Sequence, residues 1–120
     1  MKNFKQLKIW QKGFSIAIKT YKLTANFPKE EKYGLSSQMT KSAISIASNI
    51  AEGSSRKSEK DYSRFIEISL GSAYELETQV LISEAVNFGL KEACQDLLND
   101  LKEEQKMLIG FGNKTFKINV

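Results

Sequence analysis

The stretch GLSSQMTKSAISIASNIAEG, residues 34–53, decides the fold. Leu35, Met39, Ala43, Ile46 and Ile50 recur every three or four residues, so at roughly 100° per residue they line one face of a helix. A strand would alternate with period two, and this segment does not. The pattern predicts a helix from about Gly34 to Glu52 with Gly53 as its C-terminal stop. Ile44, Ala47 and Ala51 widen the apolar face, which suits a central position in the fold.

Downstream, the polar loop Gly53 to Lys57 leads to Ser58, three residues before Asp61, a capping pattern that starts a third helix. That helix is expected to reach about Phe88 and close at Gly89. Its core stripe is Tyr62, Ile66, Ser69, Ala73, Leu76 and Val80. Almost opposite lies a second stripe, Ile68, Gly71, Ile82 and Val86, and two apolar faces need two partners. A fourth helix, from about Lys91 to Gly110, carries Cys94, Leu97, Leu98, Leu101 and Leu108 and is expected to end at Gly110 and Gly112.

Upstream, a first helix is expected from about Lys5 to Asn26, with Leu7, Trp10, Phe14, Ala17, Ile18 and Tyr21 as its inward stripe. It stops before Pro28, because the residue preceding proline disfavours helical backbone. Long amphipathic helices with short links make antiparallel neighbours. The expected architecture is therefore all-α, an up-down-up-down antiparallel four-helix bundle over residues 1–112. Residues 113–120 form a C-terminal tail, in which Phe116, Ile118 and Val120 alternate with Lys117 and Asn119 as in a short extended arm; a frayed end is the alternative.

A chain of 120 residues, 41% of them hydrophobic, supports one folded domain. It contains no His, so an imidazole base, a Ser-His or Cys-His nucleophile pair and a His metal ligand are all excluded. No enzyme, metal or cofactor is expected. Cys94, the single cysteine, falls on an apolar stripe and reads as a small buried hydrophobe in a reducing, cytoplasmic setting. The N-terminus places a Lys at every third or fourth position and so lacks the apolar run of a signal peptide. No segment approaches the roughly 20 apolar residues of a membrane span.

Net charge is +4 but unevenly spread: residues 1–32 hold eight Lys and two Glu, whereas residues 65–110 hold three Lys and nine acidic residues. Lys5, Lys8, Lys12 and Lys19 share one face of the first helix, with Lys22 at its edge. Affinity for a polyanion comes largely from counterion release, which requires positive charge rather than base-edge geometry, so this stripe is a candidate phosphate-contacting surface. The alternative is a solvated face that pairs with the acidic third and fourth helices. Arg56, Lys57, Lys60 and Arg64 form a second basic group around the start of the third helix, where cations work against the helix dipole. An intrahelical pair of Lys60 or Arg64 with Glu67 is the competing explanation.

Asn49, Glu52, Glu75 and Glu77 read as structural polar groups, with Glu77 at the edge of the core stripe and in need of a donor. Gly71 sits in mid-helix, where it costs roughly 1 kcal/mol relative to Ala; close approach of another helix is the natural compensation.

The segment Gly34 to Met39, then Ala43-Ile44-Ser45-Ile46, then Ser48-Asn49-Ile50-Ala51-Glu52-Gly53, resembles the four-helix-bundle proteins encoded in intervening sequences of 23S ribosomal RNA genes. Further matches are Phe4, Leu7 and Trp10, Phe27-Pro28, Arg56, and Gly71-Ser72 with Glu75-Leu76-Glu77. Thr40, Lys41 and Ser42 depart from the relatives' pattern of two basic residues and Ala, and Ala47 stands where a proline is common, which implies a straighter helix. The resemblance implies a cytoplasmic bacterial bundle that assembles as a ring, typically a homopentamer. A similar fold serves as the basic, nucleic-acid-binding accessory protein of diversity-generating retroelements. Nucleic acid, RNA above all, is thus the expected partner class besides self, with Ile68, Gly71, Ile82 and Val86 at the subunit interface. A structural or adaptor ring that binds a protein is the alternative.

Overall fold

The structure is a computed structural model that describes residues 3–118, with side chains placed over residues 3–112. Four helices follow one another: α1 (Lys8–Thr24), α2 (Leu35–Ser54), α3 (Glu59–Ala85) and α4 (Lys91–Ile118), with single 3-10 turns at Phe4–Gln6 and Lys29–Glu31. Neighbours pack in the cycle α1–α2–α3–α4–α1, and among the described residues the diagonal pairs do not approach. Cross-helix contacts give the directions. Ser69 and Ser72 of α3 meet Ile46 and Ser45 of α2. Glu77 and Glu84 of α3 meet Gln105 and Gln95 of α4. Lys12 and Lys19 of α1 meet Glu103 and Asp96 of α4. In each pair one number rises as the other falls, so these neighbours are antiparallel. The result is a four-helix bundle, 47 × 21 × 20 Å.

The core stripes of α2, α3 and α4 are those the periodicity predicts: Met39, Ala43, Ile46 and Ile50; Tyr62, Ile66, Ala73, Leu76 and Val80; Cys94, Leu97, Leu101 and Leu108. In α1 the expected stripe is corrected in part: Leu7, Trp10 and Ala17 pack half-buried against the core, but the helix turns another face fully inward. Its buried face is Ile9, Gly13, Ile16, Thr20 and Leu23, whereas Phe14 and Tyr21 are 51% and 52% exposed and Ile18 is exposed too. The reason is steric. Where α1 crosses α2, a Cβ at Gly13 would lie 3.1 Å from Glu104 Oε2, 3.2 Å from the Ile46 Cγ2 and 3.4 Å from the Ala47 Cα, so the face that carries Gly13 packs closest and Phe14 beside it turns out.

Three helix ends also differ. Gly53 lies inside α2 rather than after it, and its role is packing: a Cβ there would meet the Phe65 Cβ at 2.7 Å. α3 ends at Ala85, because Asn87 takes φ +62° while the Phe88 amide donates to the Ser83 carbonyl and the Asn87 amide to that of Glu84, a Schellman closure. Gly89, at φ +77°, lies against Leu23 and Phe27, where only glycine fits. α4 continues past Gly110 and Gly112, neither of which has positive φ, to Ile118. Backbone over residues 113–118 is therefore helical and not an extended arm; Asn119 and Val120 lie outside the described residues. The start of α3 is as expected, with the Ser58 hydroxyl accepting from the Asp61 amide at 3.1 Å.

Candidate nucleic-acid interface

α1 carries four lysines and no acidic residue, but its lysines have divided fates. Lys19 Nζ lies 2.7 Å from Asp96 and 2.6 Å from Asp100, and Lys12 pairs with Glu103 and, at 3.3 Å, with Asp100. The charge–charge bonds to Glu103 and Asp100 raise the Lys12 pKa above its ordinary value, and those to Asp100 and Asp96 raise that of Lys19. Burial alone would push Asp100 up, yet the Lys19 and Lys12 ammoniums hold it below the usual carboxylate range. Lys12 and Lys19 are thus neutralised by α4. Of the lysine stripe, Lys5 and Lys8 are exposed and form no ion pair among the described residues, whereas Lys12 and Lys19 are engaged by acids of α4.

The second basic group stays largely free. Arg56 bonds Glu52 at 3.1 Å and lies over the Phe65 ring at 4.7 Å. Lys57, Lys60 and Arg64 are exposed and unpaired among the described residues; neither pairing with Glu67 forms. Topology brings the two groups to one end of the bundle. Because α1 and α2 run antiparallel with Gly13 against Ala47, the turn Phe4–Gln6 packs beside the C-terminal end of α2, where the Arg56–Lys57 loop begins. Lys5, Lys8, Arg56, Lys57, Lys60 and Arg64 therefore make one basic end, with Glu52, Glu59 and Asp61 among them. Further along the α1–α4 seam Lys12 and Lys19 are matched by acids, and Lys22 is exposed without an ion pair among the described residues.

The expected interface residues Ile68, Ile82 and Val86 are exposed, and Gly71 has nothing within 4 Å of a built Cβ. A second apolar surface covers the outer side of α1 and α2: Phe14 and Tyr21 with Ile44, exposed, and Trp10, Ala17 and Ala47, half-buried. The polar residues singled out in the sequence bond locally or face out. Asn49 donates to the Ser45 carbonyl at 2.8 Å, Gln105 supplies the donor that Glu77 needs at 2.9 Å, and Glu75 is exposed.

A sequence model of the family described as 23S rRNA-intervening sequence protein matches residues 5–110. The chain belongs to this family. A crystal structure of a protein of unknown function from the S23 ribosomal protein family of Bacteroides thetaiotaomicron VPI-5482 is similar, at 25% identity and a TM-score of 0.77 over 86% of this chain and 96% of that one. No curated protein matches.

For a member of the 23S rRNA-intervening sequence protein family, one buried group stands apart, and sequence reasoning missed it. Glu104 is 0% exposed on the core side of α4, and neither carboxyl oxygen has a hydrogen-bond partner. Burial pushes its pKa up to about 8, and the nearby Lys12 charge offsets only part of that. A lone acid in Lys102-Glu103-Glu104-Gln105 reads as surface; only its place between Leu101 and Leu108 on the stripe marks it as inward. Among the described residues no group of three or more His, Cys, Asp or Glu is placed to hold a metal, and no helix is long and apolar enough to cross a membrane.

Proposed function

We propose that this chain binds nucleic acid, RNA first, through its basic end and without sequence preference, as a cytoplasmic homo-oligomer that repeats that end around the assembly. The observation that carries the reading is the gathering of unpaired Lys5, Lys8, Lys57, Lys60 and Arg64 at one end, while Lys12 and Lys19 are matched by α4. Lysines offer point charges, and each phosphate contact adds roughly 0.7 to 0.9 to the slope of log affinity against log salt. With only two Arg in the chain, bidentate reading of guanine is limited, which fits weak sequence discrimination. Several copies of a weak contact strengthen one another when linked in one particle. The pentamer that the resemblance implies would supply five. No part of the reading calls for catalysis or a cofactor.

The test is retention on RNA at low salt. Lys8→Glu with Lys57→Glu should keep helical content, lower affinity on every sequence and shrink the salt slope. Lys12→Ala with Lys19→Ala should leave retention unchanged. Equal retention by the parent and the Lys8/Lys57 variant removes the basic end from the mechanism. The neutralised half of the lysine stripe favours a second reading, a structural or adaptor ring whose partner is a protein, and absence of retention by the parent selects it.

A further inference from the structure

Between α3 and α4, close to the basic end, lies a slot of about 190 Å³ walled by Ile66 and Leu70 of α3 and by Leu108 and Ile109 of α4. Two small residues open it. Gly112 brings no side chain, and a Cβ there would still lie 3.8 Å from the Ile66 Cγ2; Ser63 brings only a hydroxymethyl group. Ser63 is 7% exposed, and its hydroxyl has no hydrogen-bond partner. A buried hydroxyl without a partner costs free energy that an entering polar group can recover. Exposed Glu67 stands at the mouth. Exposed Lys60 and Arg64 lie within one turn of Ser63 along α3, and exposed Lys106 lies one turn before Ile109 on α4. An aliphatic interior, an unsatisfied hydroxyl and nearby cations thus meet in one place.

We propose that this slot receives the base of an unpaired nucleotide, so that the RNA held at the basic end is single-stranded. The proposal rests on the functional reading above and names the form of nucleic acid it takes. A strand whose phosphates follow Lys60, Arg64 and Lys106 can turn a base away from those charges and into the recess beside them. Every base has an apolar face, so aliphatic walls accept all four. The Ser63 hydroxyl both donates and accepts, and therefore suits any base edge, whereas the Glu67 carboxylate accepts from an amino or imino group and repels phosphate. At about 190 Å³ the slot is smaller than the roughly 300 Å³ and more of sites for larger organic ligands, and it suits one ring. In a duplex the base would first have to leave its stack and its partner. A single strand avoids that cost.

The probes are a single-stranded RNA, the same sequence as a duplex, and an abasic strand that keeps the phosphates and lacks the bases, each titrated at low salt by fluorescence anisotropy. The parent should bind the single strand roughly fivefold or more tightly than the abasic strand, the lower end of the scale for one stacked base. Gly112→Leu fills the slot with a better helix former, and circular dichroism should show parental helix content. It should bring single-strand affinity down to that for the abasic strand while leaving abasic and duplex affinities and their salt slopes unchanged. Ser63→Ala removes only the unpartnered hydroxyl and should cost about twofold on the single strand alone. Equal affinity of the parent for the base-bearing and abasic strands overturns the slot while the basic end stands. So does a loss that falls on all three probes alike, or on none, in both variants. Binding of no probe by the parent overturns the functional reading as well.

Discussion

The Glu104 carboxyl faces Gly13 across the α1–α4 seam: a Cβ on Gly13 would lie 3.1 Å from Oε2 and 3.2 Å from the Ile46 Cγ2. The absence of a side chain on α1 leaves room for an acid on α4. No donor compensates that acid, so the folded chain keeps it in the neutral form.

Stability should therefore depend on Glu104 with a definite sign. The unfolded chain releases this proton near 4.5 and the folded chain near 8, so the folded state binds the extra proton between those values. Stability falls as pH rises through that window and levels off above it, by roughly 4 to 5 kcal/mol at full extent. Glu104→Gln should match the parent near pH 5 and exceed it near pH 9. Urea melts at pH 5, 7 and 9 check this, and parallel pH dependence in parent and variant would count against a buried acid.

Two glycines should respond to alanine with opposite signs. At Gly53 the new methyl meets the Phe65 Cβ at 2.7 Å and the Tyr62 ring at 3.2 Å, so α2 and α3 must separate, at about 1 to 3 kcal/mol. At Gly71 nothing lies within 4 Å. There alanine should stabilise the monomer by up to about 1 kcal/mol through helix propensity. Repeating the comparison at several protein concentrations separates the helix term from any association.

Lys19→Ala removes the bridge from α1 to Asp96 and Asp100. These side chains are partly exposed, so the expected loss is modest, about 0.5 to 1 kcal/mol. Urea denaturation at low and at molar salt should show the gap between parent and variant narrowing as the charges are screened.

Ser58→Ala deletes the hydroxyl that accepts the Asp61 amide proton at the start of α3. The helix should lose about 1 kcal/mol. Thermal melts of Ser58→Ala and Ser58→Asp compared with the parent test the cap: the aspartate should restore most of the loss, since a carboxylate also accepts from that amide.

Where one apolar stripe stands alone on a helix, as with Met39 to Ile50 or Cys94 to Leu108, its period named the core directly. α1 carries two stripes of equal period, and size pointed to the wrong one: Phe14 and Tyr21 look like core and are exposed, whereas the fully buried face runs through Ile9, Gly13 and Ile16 at the tight crossing by Ala47. Periodicity locates faces without saying which neighbour each face meets. The same limit applied to the site. Arg56 to Arg64 could be picked out as a local group, but that Lys12 and Lys19 meet acids some 80 to 90 residues on depends on which helix lies next to α1. Spacing cannot supply that.

Two small hydroxyls lace the α2–α3 contact, Ser45 to Ser72 at 2.7 Å and Ser69 to the Ile46 carbonyl at 2.8 Å, and within α2 the Asn49 amide donates to the Ser45 hydroxyl at 2.9 Å. Oily seams tolerate sliding, because one methyl serves nearly as well as another. Here a slip of one turn would set Ser45 against Ile68 or Leu76 and take the Ser72 and Ser69 hydroxyls from their partners on α2. The pairing works like the teeth of a zip. It gives this hairpin a single alignment and makes its backbone amides the ones expected to exchange with solvent last.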